Sequence, residues 1–132
     1  YRQLLGDLIA ENGGYWARQR DFARAVKYYT IALQLNSKAA EVWRLLGRAA
    51  RSLTNQYLIM ESDLPQLANP TLDATHRLYM RYATQYHRMS KEAKQKATDL
   101  GVAPPAQANY WVRQKQLAQA AQEGINTKGE NP

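Results

Sequence analysis

The chain resembles itself at a fixed offset of 34 positions. Gly13 and Gly47 are 47 − 13 = 34 apart, and the pairs Trp16/Ala50 and Ile9/Trp43 keep the same interval. A period between about 20 and 50 residues marks a fold built by stacking one small supersecondary unit on the next. A unit of 34 residues has room for two helices and a turn, and such units stack into a solenoid. The offset therefore constrains the architecture.

Composition is consistent with that picture and narrows the chemistry. At 132 residues the chain suffices for one domain with a sizeable core, and 45% hydrophobic with 22% charged residues is ordinary for a folded protein. No cysteine is present, which excludes disulfides and thiolate metal sites. No run approaches the roughly 20 apolar residues of a membrane span, and no signal-peptide pattern opens the chain. It starts at Tyr1 without an initiator Met, as a mature or excised fragment would.

The net charge is +7. Residues 1–53 hold nine Lys/Arg against four Asp/Glu, 9 − 4 = +5, while residues 54–132 hold nine against seven, 9 − 7 = +2. The basic excess thus sits with the repeat. An acidic partner, a nucleic acid or an anionic surface would each be drawn to it, and a merely basic solvated surface has the same composition.

The first unit reads as a helix over Leu8 to Arg18, a turn at Arg20-Asp21 with Asp21 as N-cap, and a second helix. Phe22, Ala25, Val26, Tyr29, Ala32 and Leu33 recur there at helical spacing. Gly13 lacks a side chain where the partner helix must come close, and Trp16 fills the space a turn later. Ala25 and Ala32 share a face whose small side chains permit close approach. The segment Asn36-Ser37-Lys38 closes the unit, and the next opens with Glu41-Val42-Trp43-Arg44-Leu45-Leu46-Gly47-Arg48-Ala49-Ala50.

Over residues 6–53 these positions resemble the tetratricopeptide repeat family. Trp43, Leu46, Gly47 and Ala50 follow the order of its first helix, and Ala25, Tyr29 and Ala32 that of its second. Ser37 stands where the family usually has Pro, and Asn12 where it usually has Leu. The resemblance implies an all-α, right-handed helix-turn-helix solenoid serving protein–protein interaction, as an adaptor, co-chaperone, scaffold or assembly subunit. It also implies a concave groove lined by the face that the packing residues leave free. Some members clamp a peptide's C-terminal carboxylate there with basic residues.

Beyond Leu53 the pattern degrades. A second repeat over 40–68 has an atypical second half: a short helix ending near Asp63, then an irregular link past Pro65 to Pro70. Helical spacing returns after Pro70, with Thr71 or Asp73 as cap. Leu72, Thr75, Tyr79, Tyr82, Tyr86 and Met89 draw one stripe, continued by Ala93, Ala97 and Leu100. Ala93 lies 93 − 25 = 68 residues after Ala25, two periods on. Both a degenerate third repeat over 71–103, turning at Met89-Ser90, and one unbroken helix over 72–100 fit. Gly101 and Pro104-Pro105 stop it. A capping helix over 105–123, with Tyr110, Trp111 and Leu117, and a disordered tail over 124–132 complete the reading.

Arg44, Arg48 and Arg51, spaced by four and three, share a helix face. By the resemblance Arg44 and Arg48 fall on groove positions, joined by Arg18. Guanidiniums gathered in one stripe suit an acidic peptide or a terminal carboxylate. Ala10 and Gly14, the matching positions of the first unit, break a full clamp. A solvated face, or pairing with Asp7, Glu11 or Glu41, remains the alternative. Tyr79, Tyr82 and Tyr86 are core or an interface, which leaves self-association open. Arg77, Arg81 and Arg88 lie nearly opposite them, so a base-stacking platform for nucleic acid is disfavoured. His76 and His87 are 87 − 76 = 11 apart, too far to share a metal. Glu61 and Asp63 read as solvated. No phosphate loop or nucleophile elbow occurs, and neither enzyme activity nor a cofactor is expected.

Overall fold

Four α-helices, each packed on the next, make up residues 1–102: α1 (Arg2–Arg18), α2 (Phe22–Leu35), α3 (Ala40–Ser62) and α4 (Pro70–Asp99). The computed structural model describes residues 1–102 and 113–122. Tyr1–Val102 and Ala103–Pro132 are separate units. Within the second, residues 113–122 are helical and Leu117 is exposed. Tyr110, Trp111 and the tail over 124–132 lie outside the described residues. The described residues contain no strand, so the all-α class holds among them.

Local chemistry sets the first hairpin. α1 closes with the amide of Arg20 on Ala17 O (3.0 Å) and that of Asp21 on Trp16 O (2.9 Å). This paired closure needs a left-handed residue between the two amides, usually glycine, and here Arg20 takes it at φ 61°. Asp21 then caps α2 as its sequence position suggests, its carboxylate accepting from the Arg24 amide at 3.1 Å. α1 starts at Arg2, six residues earlier than the expected Leu8. Gly6, buried against Ala32 and Leu35 of α2, gives the extra turns a surface to pack on.

The core joins Ala25, Val26, Tyr29, Ala32 and Leu33 of α2 to Val42, Leu46, Ala49, Ala50 and Leu53 of α3 and to Ala93 of α4. Both repeat glycines mark close approaches. A Cβ on Gly13 would stand 2.8 Å from the Tyr29 ring, and one on Gly47 would stand 3.2 Å from Lys94 Cγ. Trp16 and Trp43 border the core half-buried. The Arg24 guanidinium lies 4.4 Å over Trp16, and Trp43 Nε1 donates to Ser37 O at 2.8 Å.

The second hairpin departs from the first. α3 runs through residues 53–55, where the period places a turn, and packs along its length against α4. Thr54 even satisfies its buried hydroxyl inside the helix, on Ala50 O. α3 ends with Ser62, close to the expected end at Asp63. α4 begins two to four residues earlier than expected, capped by Asn69 rather than Thr71 or Asp73. The Asn69 side chain accepts from the Thr71 amide at 2.8 Å, with Pro70 as the first helical residue. It then runs unbroken through Met89-Ser90, where a turn was the competing reading. Ser90 is buried there and its hydroxyl donates to Gly47 O at 2.9 Å, cross-linking α4 to α3. Gly101, at φ 97°, ends the helix in the same paired closure that ends α1.

Gly13 therefore packs against a residue 29 − 13 = 16 positions later, whereas Gly47 packs against Ser90 and Lys94, 43 and 47 positions later. Both helices of the second hairpin are longer than those of the first.

Candidate functional site

α1 and α3 line the two walls of an open groove, and Tyr29 of α2 lies in its floor. The groove comprises two adjoining hollows of about 400 and 860 Å³ that share Gly14, Arg18, Tyr29 and Leu45. The α1 wall presents Asp7, Glu11, Gly14 and Arg18, and the α3 wall presents Glu41, Leu45, Arg48 and Ser52. Each set is spaced by four, three and four residues, the interval that keeps side chains on one helical face. The two sets are also related by the repeat offset, since 41 − 7, 45 − 11, 48 − 14 and 52 − 18 all equal 34. Positions 34 residues apart thus line opposite walls of the cleft.

Charge divides along its length. Arg48 lines only the hollow beside Ser52, Asp7, Glu11 and Glu41 line only the one near Asn36 and Ala39, and Arg18 stands where the two meet. The Tyr29 side chain is buried. Burial holds its phenol above the ordinary tyrosine range, against the opposing pull of Arg18, Arg48 and Arg44. Its hydroxyl and the Arg18 guanidinium converge over Gly14: a Cβ there would sit 3.7 Å from Tyr29 Oη and 3.5 Å from Arg18 Nη1. Those are ordinary contacts, so packing does not require this glycine. Its missing side chain leaves the α1 wall open above Tyr29.

The structure separates the four arginines singled out from the sequence. Arg18 and Arg48 come together in the groove. Arg44 turns to Glu41, its Nε donating to both carboxylate oxygens at 3.0 and 2.9 Å and its Nη2 donating to Oε1. Those bonds hold the Glu41 carboxyl below its usual range and the Arg44 guanidinium above its own. Arg51 is exposed and lies outside the groove lining. The lining stripe of α3 is thus centred on Leu45 and Arg48, one position round the helix from the arginine stripe. Of the three carboxylates, which the sequence offers as partners for the arginines, only Glu41 pairs with one; Asp7 and Glu11 line the groove. The offset of Asp7 to Glu41, 34 residues, was the available signal of that placement.

Tyr79, Tyr82 and Tyr86 are half-buried against Tyr57 of α3, with ring centroids 6.1, 5.1 and 6.0 Å from it. Burial, then the neighbouring phenols, raise the Tyr57 pKa. These rings belong to the α3–α4 contact. On the far side of α4, Arg77, Arg81, Thr84 and Arg88 line a shallow recess of about 490 Å³ with Met80 and Gln85. Glu61, read as solvated, instead bonds His76 Nδ1 at 2.9 Å and ties the end of α3 to the start of α4. Among the described residues no three His, Asp or Glu side chains gather as metal ligands, and no helix is long and apolar enough to cross a membrane.

Comparison with protein-family models, with curated proteins and with solved structures found no match.

Proposed function

We propose that this chain is a tetratricopeptide-like interaction module that holds a short segment of a partner protein in the groove between α1 and α3. The observation that carries the reading is that positions 34 residues apart line opposite walls of one cleft. Two walls built from the same positions of successive units are what a repeat groove requires. The successive packing of α1, α2, α3 and α4 supports the same view. An acidic side chain or terminal carboxylate of the partner meets Arg18 and Arg48, with the Tyr29 hydroxyl available as a third donor. Adaptor and assembly-subunit roles both use such a groove, and binding rather than catalysis is the work assigned to it.

The test is a pull-down with the full chain and its Arg18→Ala/Arg48→Ala variant, read by cross-linking and mass spectrometry. Proteins retained by the wild type and lost by the variant, with cross-links to residues of α1 and α3, are expected. An unchanged set of captured proteins removes the groove from consideration.

One observation favours a second reading. Arg77, Arg81 and Arg88 form a cationic stripe on the outer side of α4, and no ion pair holds them among the described residues. A stripe of this kind attracts a phosphate backbone. Binding through it weakens steeply with salt, with a slope that falls by about 0.9 per neutralised contact removed. Arg77→Gln/Arg81→Gln/Arg88→Gln, titrated against a duplex oligonucleotide over a salt series, measures that slope.

A further inference from the structure

The division of charge along the groove says more about the occupant than a basic patch would. On α1 the order is Asp7, Glu11, Gly14, Arg18; on α3 it is Glu41, Leu45, Arg48, Ser52. Both walls pass from acid to base in the same direction. Helix macrodipoles favour acids at N-termini and bases at C-termini, but that influence fades within the terminal turn. Glu11 and Arg48 lie well inside α1 and α3, so the dipole does not account for them. Glu41 is largely satisfied by Arg44. Asp7 and Glu11 have no ion pair among the described residues and carry the acidic end.

We infer that the groove selects a dipolar segment: an extended peptide with a basic side chain at the Asp7/Glu11 end and an acidic one at the Arg18/Arg48 end. This inference rests on the groove reading above and adds the partner's charge pattern to it. The helix rise sets the spacing. From Glu11 to Arg18 is seven residues, about 10 Å, and from Asp7 to Arg18 is eleven, about 16 Å. An extended chain covers about 3.3 Å per residue, so the two charges of the partner stand about three to five positions apart. A uniformly acidic segment meets repulsion at Asp7 and Glu11, and a uniformly basic one meets it at Arg18 and Arg48. The mixed pattern alone matches both ends.

The experiment uses the isotopically labelled full chain and three capped peptides: Gly-Lys-Ala-Ala-Ala-Asp-Gly, its di-acidic analogue with Asp at both charged positions, and its di-basic analogue. Titration is read from the backbone amides of Gly14, Leu45 and Ser52, which reports even millimolar affinities. The dipolar peptide is expected to bind at least several-fold more tightly than either analogue. In Asp7→Lys/Glu11→Lys the preference is expected to pass to the di-acidic peptide. If the di-acidic peptide binds the wild type as tightly as the dipolar one, the charge pattern is wrong while the groove stands. If no peptide moves these amides, both fall. The wild-type comparison decides even where the double variant folds poorly.

Discussion

Two neighbouring glycines of α1 do opposite things. Gly13 is forced by the Tyr29 ring 2.8 Å from where its Cβ would be, whereas Gly14 meets nothing closer than 3.5 Å. Gly13→Ala must displace a buried ring and is expected to cost about 1–3 kcal/mol. Gly14→Ala relieves the glycine penalty of a helix interior and is expected to gain up to about 1 kcal/mol. Urea denaturation of the two variants checks the contrast, and equal effects would refute the packing account. Arg20 makes a third residue-scale case. It holds a left-handed conformation that costs an ordinary side chain about 1 kcal/mol, so Arg20→Gly is expected to raise the melting temperature by a few degrees.

At the scale of the element, α4 is one helix because its start is fixed and its middle is cross-linked. Asn69 caps it and Pro70 enters at the position where no amide is needed. Asn69→Ala is expected to cost about 1 kcal/mol. Ser90 sits where a turn was conceivable, yet its hydroxyl bonds the Gly47 carbonyl across a glycine-thin contact. Ser90→Ala removes that bond and is expected to cost about 0.5–1.5 kcal/mol. Hydrogen exchange of the α3 amides around Gly47 should accelerate with it. A variant that leaves those amides as protected as before would show that the cross-link contributes nothing.

For the whole molecule, the phenols of Tyr29 and Tyr57 contribute to stability on the alkaline side. Burial raises both above the ordinary tyrosine value near 10. An acid that holds its proton more tightly when folded contributes stability that is intact below its unfolded pKa. That contribution is lost as pH climbs through the raised value. The urea midpoint is therefore expected to fall above about pH 10, and less steeply in Tyr57→Phe. Persistence of the wild-type slope in that variant would exclude Tyr57 as its source. At the acid end Glu41 works with the opposite sign. Its lowered pKa supports the fold above the carboxylate range, and the support fades as pH falls through it. The pair with Arg44 is largely exposed, so that limb is shallow.

The first hairpin apart from the start of α1, the Asp21 cap and the stop at Gly101 were legible from residue order, because each is decided by neighbours a few positions away. The close approach at Gly13 was legible only from its missing side chain, since Tyr29 lies 16 positions on. The groove was legible in half. Arg18 and Arg48 could be named, but which way Arg44 points depends on whether its carboxylate lies on its own helix or across the cleft. Residue spacing alone does not resolve stripes that differ by one position. That the second hairpin is lengthened, with Gly47 meeting Ser90 rather than a residue 16 positions on, was beyond the sequence. Nothing local distinguishes a helix that must turn at residue 54 from one that continues. The choice lies with the partner surface that α4 brings back, and only the folded chain supplies it.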